Sequence, residues 1–328
     1  MPYPPGIKWL SPDLWCNNSG GTLHQDPVRG QPNQLYARLH NADTLPISNE
    51  TVRFYWADPN GGIPHSQWHD IGTATVSVSP GLAAIAGPVS WIPGASVPNH
   101  ACLLAIADTG DDPCASATLD PIVWPYDIAR DNNVVQKNIS VVTLPPSPSP
   151  KPIPLPFTAL NPYPIKKPIE VRLEMQQVEP KELDTLALDL KDFSPDFKEH
   201  AKRGHWLPSA IRPRPTIFQA FLLFLLEILR IPFRLLQIIP PKPVALELGF
   251  EDGFRHFKMH RISDRGMILK SAPVAFAEGG RFCLMFIPSK ALRPGQTYRI
   301  DVEQRVDGVV TGGMTYLIVV TQKEERQK

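Results

Sequence analysis

The chain has few cysteines, almost no net charge and, with one exception, no long apolar run, and each shortage removes a class of protein. Its four cysteines, Cys16, Cys102, Cys114 and Cys283, are too few and too scattered over 328 residues to frame a disulfide scaffold, and no CxxC pair is present. Cys102 and Cys114 flank the loop DTGDDP and could bridge it, although Cys102 in HACLLAIA also reads as a packed strand thiol. There is no phosphate loop, dinucleotide fingerprint or HExxH, and no serine lies in a GxSxG elbow, so the chain is read as non-catalytic, with no cofactor and no metal. No strongly basic region interleaved with aromatics is present, which speaks against nucleic acid as a partner. The N-terminal stretch MPYPPGIKWLSPDLW lacks a basic segment followed by an apolar run, so no secretory signal is visible and the compartment is not fixed.

Proline is the excess, 38 of 328 residues and about twice the usual share. Proline removes a backbone donor and clashes with the preceding helical turn, so this composition points to short strands and many turns. The formal net charge of +1 hides an asymmetry. Residues 1–145 hold 6 Lys and Arg against 12 Asp and Glu, for −6, and the remainder holds 27 against 20, for +7. Opposite signs on successive regions favour docking of one on the other, within a chain or between chains.

The strand signal is alternation. Leu35, Ala37 and Leu39 alternate with Tyr36, Arg38 and His40; Val52, Phe54 and Trp56 with Arg53 and Tyr55; Ala74, Val76 and Val78 with Thr and Ser. Further strands are expected at Val89 to Trp91, Ala101 to Ala107 and Asn138 to Val142, separated by turns such as DPNGG, SPGLAA and DTGDDP. Seven strands at this spacing suggest an immunoglobulin-like sandwich, with Trp56 and Trp91 as core candidates. The succession SPDLW, GQPNQLYARLHN, VRFYWADP, WHDIG, VSWIP, HACLLA and RDNNVVQKNISVV, closing on Asp131, Asn132 and Asn133, resembles the CARDB type of bacterial Ig-like domain over residues 7–143. That resemblance implies a non-catalytic adhesion domain of bacterial cell-surface or secreted proteins.

Residues 144–168 contain ten prolines and read as an extended spacer between domains. Beyond them Ile169, Val171, Leu173 and Met175 alternate with Glu170, Arg172 and Glu174, and strands resume at Val244 to Phe250, Arg255 to His260, Gly266 to Lys270, Val274 to Ala277 and Phe282 to Ile287. A last hairpin is expected around Asp307-Gly308. The fold class is therefore mainly β. Two sandwiches, residues 1–143 and residues 169–192 with 242–322, flank the spacer, and a helical insertion over 193–241 interrupts the second; 323–328 form a charged tail.

That insertion holds the exceptional apolar run, TIFQAFLLFLLEILRIPFRLLQII over 216–239. Thr216 and Gln219 stand at capping-box spacing, and Pro240, Pro241 and Pro243 stop a helix at the far end. Its polar residues fall within a sector of roughly 80°, leaving most of the circumference apolar. Sixteen Leu, Ile and Phe side chains favour insertion into lipid by about 5–10 kcal/mol, but Glu227, Arg230 and Arg234 cost about 2.5–3.5 kcal/mol each, and Pro232 frees a carbonyl that lipid leaves unsatisfied. Burial against protein is the leading expectation, with Phe218, Phe221, Leu222, Leu225, Leu229 and Phe233 as the interface, in a homo-oligomer or larger complex. The alternative is an anionic membrane surface met by the same helix with Trp206, Arg212 and Arg214 beside it.

Other candidates are weaker. His65 and His69 in HSQWH have metal-pair spacing but lie beside a Gly-rich turn, and Arg255, Lys258 and Arg261 around His256 and His260 would repel a cation. Asp108, Asp111 and Asp112 lack the ligand spacing of a calcium loop. Sequons occur at Asn17, Asn49 and Asn138.

Overall fold

Alternation becomes strand throughout the computed structural model, which describes residues 9–98, 100–108, 114, 131–144, 152–178, 188, 245–252, 257–263, 266–288, 292 and 295–320. In the N-terminal part, β1 (Leu14–Cys16), β2 (Asn33–His40) and β5 (Ala83–Trp91) form one antiparallel sheet in the order β1-β2-β5. The second sheet is β4 (His69–Val78), β3 (Ile47–Ala57), β6 (Cys102–Ala107) and β7 (Val134–Lys137), in the order β4-β3-β6-β7. Leu14, Leu35 and Ala86 from one sheet close on Val52, Phe54 and Leu103 from the other, so the two pack face to face as a sandwich.

The C-terminal part has the same plan on a larger scale. One sheet runs β12 (Phe257–Ser263), β13 (Gly266–Ser271), β10 (Ile169–Val178), β15 (Thr297–Val306), β16 (Val309–Val320), β8 (Ile139–Leu144); the other runs β11 (Ala245–Asp252), β14 (Gly279–Ile287), β9 (Ile153–Leu160). Phe157, Phe282 and Phe286 from the small sheet meet Leu173, Ile300, Val302 and Ile318 from the large one. Asp307 and Gly308 both take positive φ, +52° and +80°, and turn β15 into β16 as the Asp-Gly pair leads one to expect. Among the described residues the one helical element is the 3-10 turn His65–Gln67. The expected helix over 216–239, and the whole of 189–244, lie outside the described residues.

Four expectations need correction. The strand after Asn138 pairs in parallel with β16, Ile139 to Thr315 through Leu144 to Val320, and so belongs to the second sandwich. The proline-rich stretch is not wholly a spacer, because β9 lies within it and pairs with β14 along its length. Its prolines fit there because Pro154 and Pro156 share the parity of Thr158, whose carbonyl points away from β14; their missing N–H groups fall on the edge that, among the described residues, has no strand beside it. Val274 makes an isolated bridge to Lys167, and residues 276 and 277 form a turn instead of a strand. Among the described residues the deeply buried tryptophans are Trp9, Trp15 and Trp68, whereas Trp56 and Trp91 are half-buried at the margin of the first core.

Both sandwiches repeat one corner. Asn41 at the end of β2 donates from Nδ2 to the carbonyls of Leu45 and Val78 and accepts at Oδ1 from the Asp43 N–H. Asn161 at the end of β9 donates to the carbonyls of Ile165 and Val274 and accepts from the Tyr163 N–H. The long-range partners are 37 residues apart in the first corner and 113 in the second, so the extra chain of the second sandwich lies inside this repeat. The turn that follows is also shared. Leu82 N–H bonds to the Ser79 carbonyl and Glu278 N–H to the Ala275 carbonyl, with Gly81 at φ +69° in one and Ala277 at φ +58° in the other. Left-handed backbone is free for glycine and costs an alanine about 1–2 kcal/mol. Ala277→Gly should therefore stabilise the protein by about 0.5–1 kcal/mol in urea unfolding, and Gly81→Ala should destabilise it by about the same; equal midpoints for both variants and the wild type would refute the equivalence.

Candidate functional site

The outward face of the β4-β3-β6-β7 sheet is not left to solvent. Cys102, Leu104 and Ile106 alternate with Leu103 and Ala105 along β6, and both sets are buried, the second in the first core and the first in a separate cluster. On β16, Met314, Tyr316 and Ile318 face the second core while Leu317 joins that same separate cluster. Trp9, Tyr55, Ile63, Trp68, Val134, Ile139 and Val141 also belong to it. The two sandwiches thus meet across a third apolar core, a buried seam between two sheet faces.

Asn138 is the pin of the seam. It is the single residue between β7 and β8, fully buried, at the point where the chain leaves one sandwich for the other. Its N–H donates to the Trp9 carbonyl at 2.9 Å and its carbonyl accepts from the Thr315 N–H at 3.0 Å. Its Nδ2 donates to the Gly313 carbonyl at 2.7 Å and the Asn60 carbonyl at 3.3 Å, and its Oδ1 lies 3.2 Å from His100 Nε2. Trp9 reaches the same place from the other side, donating from its indole to Thr315 Oγ1 at 3.1 Å. A Cβ on Gly313 would stand 2.5 Å from the Trp9 ring, so only glycine allows the strand and the indole to approach this closely. Thr315 donates in turn to Asp301, which is ion-paired with Arg299 at 3.1 Å; burial nevertheless pushes the Asp301 carboxyl up.

Beside the seam the loop DPNGGIPHSQWH crosses from the first sandwich onto the end of the second. Ile63 and Trp68 anchor it in the seam core, and Gly61 N–H donates to the Thr158 carbonyl at 2.8 Å. With Tyr316 Oη on the Pro156 carbonyl and Gln304 Nε2 on the Leu160 carbonyl, three alternate carbonyls along this edge of β9, those of Pro156, Thr158 and Leu160, are occupied. Between the loop and the ends of β9 and β14 lies a cleft of about 640 Å3, lined by Asp58, Asn60, Ser66, Gln67 and His69 on one side and Thr158, Leu160 and Ala277 to Arg281 on the other.

The candidates from sequence are placed as follows. Trp206, Arg212, Arg214, Phe218, Phe221, Leu222, Leu225, Leu229 and Phe233 lie outside the described residues. His69 stacks on Trp56 at 4.4 Å and His65 faces Phe276 of the second sandwich at 6.3 Å, so the pair serves the loop and its joint. His260 is exposed, and His256, Asp111 and Asp112 lie outside the described residues. Among the described residues no group of three His, Cys, Asp or Glu side chains is placed to hold a metal ion. Cys16, Cys102, Cys114 and Cys283 are buried thiols that are not joined in disulfides. Of the sequon asparagines only Asn49 is exposed; Asn17 and Asn138 are buried and hydrogen-bonded. The importance of Asn138 and Trp9 was not apparent from local pattern, although the continuous apolar run of β6 is the signature of a strand covered on both faces.

No protein-family model matches the chain, and no curated protein does. Similar solved structures include a red sea bream transglutaminase, at 10% identity and a TM-score of 0.20 over 94% of this chain and 31% of that one, so this chain spans about a third of its length. They also include the collagen adhesin of S. aureus, at 8% identity and a TM-score of 0.23 over 94% of this chain and 92% of that one. A third is the Enterococcus faecalis MSCRAMM ACE, at 7% identity and 0.19 over 90% and 91%. Overlap this small shows neither a shared fold nor a shared activity.

Two substitutions test the seam. Asn138→Ala removes buried hydrogen bonds to two carbonyls and leaves those acceptors bare, and should cost about 2–4 kcal/mol in urea unfolding; a loss under about 1 kcal/mol would remove Asn138 as the pin. Lys137 is buried next to it, donating to the Ser11 carbonyl at 3.0 Å, and burial pulls its ammonium down from 10.5 to about 7 despite nearby Asp13. Between about pH 7 and 10.5 the unfolded chain holds a proton that the folded chain has released, so stability rises with pH across this window. Lys137→Met should accordingly stabilise by about 3–5 kcal/mol at pH 7, less about 1 kcal/mol for the unpaired Ser11 carbonyl, and the gain should shrink as pH approaches 10.5. Thermal melts at pH 7 and pH 10 check this, and a gain independent of pH contradicts it.

Proposed function

We propose that the protein is a non-catalytic structural or adhesion protein that works through protein–protein contacts. The observation that carries this is the seam. Two sandwiches joined by a buried apolar core, a shared strand junction and a hydrogen-bonded asparagine suit a strut or a display element. The resemblance of residues 7–143 to CARDB-type adhesion domains points the same way. The opposite charges of the two halves, −6 and +7, fit a region that docks within an assembly.

Contact with a neighbouring domain or subunit is assigned to the 216–239 stretch, through Phe218, Phe221, Leu222, Leu225, Leu229 and Phe233. Each such side chain contributes about 1.5–3 kcal/mol when buried, so a few hold an assembly together. Attachment to an anionic membrane surface is the second reading, favoured by Trp206, Arg212 and Arg214 immediately before the stretch. Among the described residues no helix is long and apolar enough to cross a membrane.

Size-exclusion with light scattering on the full chain should give a multimer that Leu222→Asp with Leu225→Asp reduces to a monomer. A wild-type monomer that floats with anionic vesicles, and loses them on the same double substitution, transfers the role to lipid. A wild-type monomer that ignores vesicles ends both readings.

A further inference from the structure

We propose that the cleft beside the seam is a binding site for a neutral polyhydroxylated ligand, a short oligosaccharide segment. At about 640 Å3 it lies within the size range of small-ligand sites. Its charges are mixed. Asp58 and Glu278 would oppose an anion and Arg281 a cation, while a neutral ligand rich in hydroxyls can donate to the first two and accept from the third.

The second observation is an acceptor left bare. Asn60 lines the cleft and is 2% exposed; its Nδ2 donates to the Asp58 carbonyl and to Gln67 Oε1, each at 3.3 Å, but its Oδ1 has no partner. Buried amides are ordinarily satisfied, and a bare carboxamide oxygen on a residue that lines the cleft asks for a donor. A sugar hydroxyl supplies one. The rim adds a flat ring, since His69 lines the cleft and is held by stacking on Trp56 at 4.4 Å and 26°; the C–H face of a sugar packs against such a surface.

The test of this site does not depend on assembly through residues 216–239. Saturation-transfer NMR on the full chain with cellotriose, maltotriose and triacetylchitotriose at millimolar concentration should show transfer to at least one triose. Trilysine and succinate, as charged controls, should show none. Ser66→Trp, an exposed position on the cleft wall, should weaken binding at least tenfold with the thermal midpoint and oligomeric state unchanged, and Arg281→Ala should weaken it severalfold. No transfer to any of the three trioses, transfer unaffected by both substitutions, or preferential binding of a charged control overturns the proposal.

Discussion

Two strands, β6 and β16, are buried on both faces, and the placement of everything else depends on them. A strand in an ordinary sandwich shows one face to a core and the other to water. Here the second face of each strand is apolar as well, and the two faces are satisfied by each other, with Cys102, Leu104 and Ile106 on one side and Leu317 on the other. Burial of a sheet face excludes water from its neighbours, so the polar groups caught in the seam must find partners there. Asn138, Trp9, Thr315 and Asp301 do so in a connected set.

The repeated asparagine corner gives the second sandwich a recognisable relation to the first despite the extra chain it contains. In both, an asparagine at a strand end ties the next loop to the strand that crosses over. The difference lies at the adjacent edge. In the first sandwich β1 pairs with β2; in the second the equivalent side of β9 has no strand among the described residues, and the carbonyls of Thr158, Leu160 and Pro156 are taken by Gly61, Gln304 and Tyr316. The prolines of β9 are thus compatible with a paired strand and also block the addition of another. The loop that fills this edge is the same one that walls the cleft.

Much of the local structure was legible in residue order. Alternation over Ile169 to Met175 gave β10, Asp307-Gly308 gave the last hairpin, and Ser79-Pro80-Gly81-Leu82 gave a turn with glycine where φ is positive. The strand within the proline-rich stretch is not legible in composition, which registers how many N–H groups are missing, not whether they fall on one edge of a strand. Strand rhythm favours Trp56 and Trp91 as core residues, whereas Trp9 and Trp68 are covered by residues far away in the chain.

Sequence by itself determined the class of fold, the position of most strands and turns, and the absence of any recognisable catalytic motif, because period-two alternation and turn chemistry act between near neighbours. Only the tertiary structure decided which sandwich the strand after Asn138 joins, that an apparent sequon is a buried pin, and that a Gly-rich loop forms one wall of a cleft. Those facts rest on contacts between residues as far apart as Trp9 and Thr315. Such contacts are settled by shape and by the need to satisfy buried polar groups, and they leave no periodic trace along the chain.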